Sequence, residues 1–170
     1  LAWNIEALTK EHHRQQFDCG DPDLNMYLWQ QAGQHSKKNI SRVYVAVNEN
    51  KQIIGFYTLS SAQINFEDLS SEIRKGLPSH CPIPATRLGR LAVDRNAQGQ
   101  GVGESLLLNA LFRCSKQAQE IATVGVVVEA KHEKAKTFYT KYGFVTLTND
   151  PLNLILPIKT IIDILEKHQR

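Results

Sequence analysis

Three glycines at alternate positions, Gly99, Gly101 and Gly103, stand in the run Gln98-Gly99-Gln100-Gly101-Val102-Gly103. They leave successive backbone N–H groups without side-chain cover. An amphipathic segment begins at the same point, with Val102, Leu106, Leu107, Ala110, Leu111 and Cys114 at helical spacing. Amides gathered at the positive end of a helix hold an anion, most often a phosphate. Alternating glycines cost chain entropy, which favours a ligand over a plain connection. A P-loop would end in Gly-Lys-Ser/Thr, and this run does not. A dinucleotide fingerprint needs glycines at its first, third and sixth positions, and Glu104 occupies the sixth. Glu129 does close a later apolar run, so a dinucleotide remains an alternative ligand at this point. Arg95 follows the segment before the loop and is placed to reach a phosphate there. Arg87 and Arg90 precede it and offer cations to a second ligand.

The elements that position these groups follow from periodicity and turn chemistry. Leu88 to Val93 is a short apolar strand that delivers the chain to the loop. Residues 2 to 8 form a strand. Asp21 caps a helix that starts at Pro22, carries Leu24, Tyr27, Leu28 and Gln31 on one face, and ends near Lys37-Lys38. Val43 to Val47 and Ile53 to Leu59 form a hairpin about Asn48-Glu49-Asn50-Lys51, with Gly55 as a bulge. Residues 64 to 85 are a long excursion. A short helix is expected over 67 to 75, followed by extended chain at Pro82 and Pro84. Such an excursion covers a site or simply crosses over. Thr123 to Val128 is β-branched and continuous, a strand buried on both faces. A second helix bears Ala135, Phe138, Tyr139 and Tyr142 on one stripe, with Gly143 as its cap. Two strands and a terminal helix or tail over 161 to 167 complete a mixed α/β order. On periodicity alone Tyr139 is a core aromatic, like Tyr142.

Composition narrows the classes. At 170 residues the chain is read as a single domain, 1–170, with a sizeable core. Every apolar run is interrupted well short of a membrane span, and the start lacks a secretory signal. Cys19, Cys81 and Cys114 are odd in number and far apart, which suits free thiols and a cytoplasmic location. Neither the cysteines nor the six histidines have metal-ligand spacing, and His12-His13 reads as polar surface. A net charge of +3 permits an RNA partner without requiring one. Lys37, Lys38, Arg42, Lys131, Lys134, Lys136 and Lys141 widen a basic surface, although solvated charge explains most of them. The interleaved aromatics of a single-strand platform are not evident.

The pattern Gln98-x-x-Gly101-x-Gly103, with Ala135-x-x-Phe138-Tyr139-x-x-Tyr142-Gly143-Phe144, resembles the GNAT N-acetyltransferases. The order of elements matches that fold, a mixed central sheet with flanking helices, over the whole chain. The resemblance implies acetyl-coenzyme A as cosubstrate and no metal. Its pyrophosphate would lie on Gln98, Gly99, Gln100, Gly101, Val102 and Gly103. Its pantetheine arm would follow the backbone of Leu91, Ala92 and Val93, with Arg95 nearby. The side chains of Leu91 and Val93 are read as core.

A narrower set of residues is similar to the acetyltransferase toxins of type II toxin–antitoxin modules. These are Phe17-Asp18-Cys19-Gly20, Tyr27-Leu28-x-x-Gln31-Ala32, Arg87-Leu88-Gly89-Arg90-Leu91-Ala92-Val93-Asp94 and Asp150-Pro151-x-x-Leu154. That similarity implies acetylation of the amino group of aminoacyl-tRNA, a block of translation, a ribbon-helix-helix antitoxin partner and a homodimer. Tyr139 would be the general acid for the departing thiolate, and Arg87 and Arg90 would meet the tRNA. No general base is assigned, although Glu129 stands at the end of a buried strand. The alternatives are a GNAT enzyme acting on a small-molecule or protein amine, and a non-catalytic coenzyme A sensor.

Overall fold

The computed structural model describes residues 2–169. Backbone contacts divide the chain into two compact units, Leu1–Ser60 with Leu88–Ala110, and Ser61–Arg87 with Leu111–Arg170. Seven strands hydrogen bond in the order β1-β2-β3-β4-β5-β7-β6. Two of them, β3 (Ile53–Ile64) and β4 (Ile83–Val93), pass from one unit into the other.

The first unit opens with β1 (Trp3–Ala7), paired antiparallel to β2 (Arg42–Asn48). Between them lie α1 (Pro22–Met26), one wider π-type turn over Tyr27–Gln31, and α2 (Ala32–Lys37). Asp21 caps α1 as expected, accepting from the amides of Asp23 and Leu24, and Pro22 takes the first helical position. The π turn changes the expected face. Ala32 N–H donates to Tyr27 C=O, five residues back, so the stripe of Tyr27 and Leu28 continues at buried Ala32. Gln31 is exposed, because the extra residue rotates it off that face.

The hairpin of β2 and β3 slips register where Ala46 opposes Gly55 and Val47 opposes Ile53, leaving Ile54 as the extra residue. Gly55 has a steric reason as well. A Cβ there would lie 2.8 Å from Leu106 Cδ1 and 3.0 Å from Ala92 O, so helix α3 (Val102–Gln117) and β4 sit directly on its backbone. Phe17, Tyr27, Leu28, Val45 and Phe56 form the core here, with the Phe17 and Phe56 rings edge to face at 5.5 Å. Full burial of such a side chain stabilises by about 1.5–3 kcal/mol.

In the second unit β5 (Gly125–Glu129) pairs parallel with β4 through Thr86↔Val126 and Arg87↔Val127, and antiparallel with β7 (Asn153–Pro157). Gly125, Val126, Val127 and Val128 are all buried, as the continuous β-branched run implies. Helix α4 (Glu133–Lys141), β6 (Val145–Thr146) and α5 (Ile158–His168) complete the unit. Helix α5 begins three residues earlier than the apolar spacing indicates, directly after Pro157.

The excursion differs from expectation. No helix forms over 67–75; a single 3-10 turn, Phe66–Asp68, is followed by isolated turns. Leu69 adopts extended backbone at φ −82° and ψ 144°, which breaks the helix in order to bury its side chain with Ile64, Ile83, Val127 and Ile155. Strand β3 runs on to Ile64 and β4 starts at Ile83, including the exposed Pro84, so the excursion is shorter than 64 to 85. It is tied down by Thr148, whose N–H donates to Asp68 C=O at 2.8 Å and whose hydroxyl donates to Glu67 C=O at 3.1 Å.

Candidate active site

The glycine run forms an open turn between a 3-10 turn (Arg95–Ala97) and α3. Gly99 and Gly101 have φ of +79° and +89°, the left-handed region that side chains rarely adopt. A Cβ at either would meet nothing within 4 Å, so the uncovered side of the turn faces open space. Ser105 N–H donates to Gly101 C=O at 3.0 Å and closes the first turn of α3. Amides in the first turn of a helix lack an acceptor within the helix. These features suit the pyrophosphate of coenzyme A. Gln98, Gly99, Gln100 and Gly101 are exposed and Gly103 is half-buried. Val102 differs: its side chain is buried, so only its backbone is available to a ligand.

A polar lattice braces the turn from the N-terminal segment. Asp94 accepts from Asn96 N–H and from Asp18 N–H, both at 3.0 Å. Asp18 in turn accepts from Gly20 N–H and Asn25 Nδ2, both at 2.9 Å, and its carbonyl accepts from Arg95 N–H at 2.8 Å. Hydrogen bonds from Asn25 and Gly20, with the charge of Arg95, hold the Asp18 carboxyl below the usual carboxylate range. Gln98 Nε2 donates to Val93 C=O at 3.0 Å and Cys19 C=O at 3.3 Å. Thus Phe17-Asp18-Cys19-Gly20, one of the runs that carry the similarity to the toxins, braces the glycine turn. Arg95 is exposed beside the turn, with Nε 3.6 Å from Asp18 Oδ1.

The strand that feeds the loop has an available edge. Its pairing with β5 is Thr86↔Val126 and Arg87↔Val127, and residues Leu88 to Val93 have no β5 register partner among the described residues. Backbone amides and carbonyls along such an edge accept an extended ligand arm as an added strand would. Leu91 and Val93 are half-buried rather than core residues; Ala92 is the one that joins the core cluster. Arg87 is exposed, whereas Arg90 is half-buried, with its Cζ 3.6 Å from the centre of the Tyr27 ring. That cation–π contact fixes the guanidinium on a ring whose own hydroxyl pairs with His35 Nδ1 at 3.2 Å.

Tyr139 is positioned by the end of α4. Gly143, at φ +98°, takes the left-handed position after the cap residue Tyr142. Gly143 N–H donates to Thr140 C=O at 3.0 Å and Phe144 N–H to Tyr139 C=O at 3.4 Å, the paired bonds of a Schellman cap. This cap folds Phe144 back so that its ring lies 5.3 Å from that of Tyr139, while Phe138 stands at 5.2 Å on an edge. At the helix start His132 Nδ1 accepts from Ala135 N–H at 3.1 Å. The Tyr139 ring is therefore buried, and its hydroxyl has no hydrogen-bond partner among the described residues. Burial pushes its phenol well above the ordinary tyrosine value. It is fully protonated at neutral pH, the state an acid needs. Tyr142 is half-buried and packs on Phe138 at 5.3 Å. Glu129 is exposed at the end of β5, opposite Asn153. No cluster of three or more His, Cys, Asp or Glu side chains suited to a metal occurs among the described residues.

Residues 39–146 match the family described as acetyltransferase (GNAT) domain. The chain belongs to the GNAT acetyltransferase family. It is therefore an acyltransferase that uses acetyl-coenzyme A, on the mixed seven-stranded sheet with flanking helices described above. This GNAT chain is 36% identical over 143 residues to a tRNA-acetylating toxin of Mycobacterium tuberculosis, covering 84% of each chain. Its fold matches that of AtaT complexed with acetyl-methionyl-tRNAfMet at a TM-score of 0.89 and 33% identity, covering 96% of this chain and 99% of the other. It also matches a mutant AtaT toxin bound to the C-terminus of the antitoxin AtaR and acetyl-CoA, at a TM-score of 0.81 and 30% identity, covering 95% and 97%.

Proposed function

We propose that this GNAT enzyme is a toxin that transfers acetyl from acetyl-coenzyme A to the amino group of aminoacyl-tRNA and so stops translation. What carries the reading is the near-complete match, at 33% identity, to a toxin fold in complex with an acetylated aminoacyl-tRNA. The bracing of the glycine turn is consistent with a preformed pyrophosphate site. In this reading the amides of Gln98 to Gly103 hold the pyrophosphate, with Arg95 beside it. The backbone of Leu91, Ala92 and Val93 takes the pantetheine arm, and an N–H at the end of β4 faces the thioester oxygen, where negative charge develops.

The amine attacks the thioester carbonyl; a C–N bond forms and the C–S bond breaks. The attacking nitrogen gives up a proton, and the departing sulfur takes one from the Tyr139 hydroxyl. Burial keeps that phenol protonated at neutral pH, the state a proton donor needs. The aminoacyl amine is less basic than a lysine, so a dedicated base is not required and none is assigned. Arg87 and the ring-stacked Arg90 meet the RNA end. The partner is an antitoxin of the ribbon-helix-helix type, the working form is a homodimer, and the location is cytoplasmic; no helix among the described residues is long and apolar enough to cross a membrane.

Cell-free bacterial translation tests this reading. Purified enzyme should stop synthesis when acetyl-coenzyme A is present and leave it running when it is absent. Undiminished synthesis, with the enzyme able to bind acetyl-coenzyme A, would favour a small-molecule or protein amine as the acceptor.

A further inference from the structure

The first unit contains a cavity of about 980 Å³, at the upper end of the roughly 300–1,000 Å³ typical of small-ligand pockets. Its lining is assembled from segments far apart in sequence. Trp3 comes from β1, Trp29 from the π turn, Lys10 and His13 from the loop after β1, and Lys51 from the β2–β3 turn. These are both of the tryptophans in the chain. Each indole is held by its own N–H: Trp3 Nε1 donates to Ser105 Oγ and Trp29 Nε1 to Phe17 C=O, both at 3.0 Å. The rings are half-buried, so part of each remains accessible.

The charge of the cavity is one-sided. Lys10, His13 and Lys51 are exposed, and His12 and Arg14 add two more basic groups. Asp94 is the one carboxylate among the lining residues, and it is occupied by the amides of Asp18 and Asn96. Fixed aromatic rings together with a set of cations suit a base and its phosphate. The sequence conceals this combination, because the aromatic and basic residues interleave only after folding.

We propose that this cavity binds a single-stranded RNA segment, one base against a tryptophan and its phosphate on Lys10, His13 and Lys51. The proposal rests on an RNA-directed role for the enzyme and adds to it an RNA-binding site separate from Arg87, Arg90 and the anion loop. The phosphoadenosine of coenzyme A offers the same chemistry and is the nearest competitor, because Asn96 and Gln100 belong both to the cavity wall and to the approach to the loop.

Tryptophan fluorescence reads the cavity directly, since both tryptophans line it. The probe is a 5′-phosphorylated tetraribonucleotide, titrated into wild type, the Lys10→Glu/Lys51→Glu double variant and Gly101→Asp, with coenzyme A titrated in parallel. The tetranucleotide should quench wild type and Gly101→Asp alike. The double variant should bind it at least tenfold more weakly, with the slope of log affinity against log salt reduced by about 0.7, the value for the one phosphate no longer neutralised. Coenzyme A affinity by calorimetry should be unchanged in that variant, which also confirms its fold. KM for aminoacyl-tRNA should rise severalfold in it.

Absence of quenching by the tetranucleotide, or quenching indifferent to the charge reversal, would overturn the proposal. Quenching by coenzyme A alone, abolished in Gly101→Asp, would assign the cavity to the cosubstrate instead. Tetranucleotide binding with an unaltered KM for aminoacyl-tRNA would refute its part in substrate capture. Any of these failures leaves aminoacyl-tRNA acetylation by the double variant to be measured by itself, so the two readings are separable.

Discussion

Replacing Tyr139 with Phe removes one oxygen from a buried ring and alters nothing else in its packing. The ring is 8% exposed, set between Phe138 and Phe144, and its hydroxyl has no hydrogen-bond partner among the described residues. Deleting such a hydroxyl leaves no orphaned partner, so the cost in stability should be under about 1 kcal/mol. For a chain of this size that is a shift in Tm of about 2–4 °C at most. Loss of a general acid lowers turnover by about 10²–10⁴-fold, or about 2.7–5.4 kcal/mol of transition-state stabilisation. Single-turnover acetyl transfer, measured with Tm and coenzyme affinity on the same preparation, separates the two effects.

Tyr142→Phe is the control, because that ring packs on Phe138 in the same stripe but is only half-buried. The pH dependence adds a second check. Burial raises the phenol of Tyr139, so the folded state keeps its proton more tightly than the unfolded state. The associated stability is complete below the ordinary tyrosine value of about 10 and is lost as pH rises beyond it. Turnover should accordingly show no alkaline limb belonging to Tyr139 below about pH 10. The reasoning fails if Tyr139→Phe turns over at the wild-type rate, or if Tyr142→Phe loses more. It fails equally if an alkaline limb with a midpoint below about pH 9 disappears in Tyr139→Phe.

Gly101→Asp places a carboxylate on the open side of the turn at φ +89°, so acetyl-coenzyme A binding should vanish from calorimetry while the circular dichroism spectrum is retained. Gly125→Ala should destabilise by about 3 kcal/mol or more in a denaturant titration, since the new Cβ would lie 2.2 Å from Leu156 O on the paired strand. Induced expression in bacteria should arrest growth, and co-expression of an antitoxin encoded alongside the chain should restore it. Normal growth with soluble, coenzyme-binding protein would contradict that.

The glycine turn before α3 and the cap at the end of α4 were legible because each depends on local chemistry, whereas the role given to Tyr139 came from the resemblance and not from its spacing. Gly99 and Gly101 permit the left-handed backbone that the turn adopts, whereas Gly103 already lies in α3. Gly143 after Tyr142 specifies a cap that turns Phe144 onto Tyr139. Gly55 was readable as a bulge, but not its steric cause, since Leu106 and Ala92 arrive from distant parts of the sequence. The π turn was invisible for a similar reason: Tyr27, Leu28 and Gln31 fit a regular helix until tertiary packing favours Ala32 over Gln31. The expected helix over 67–75 gave way because burying Leu69 outweighs local propensity. The brace of Asp18, Asn25 and Asp94 joins residues up to 76 positions apart, and no periodicity signals it.

The most direct measurement is the destination of a labelled acetyl group. The enzyme is given acetyl-coenzyme A labelled in the acetyl moiety, in an extract containing charged tRNA, ribosomes, proteins and free amines, and the label is followed in each fraction. The label should collect on aminoacyl-tRNA and be released as an N-acetyl amino acid when the ester is hydrolysed at mild alkaline pH. Label in protein or in small amines, with charged tRNA unlabelled, would contradict the assignment of the substrate.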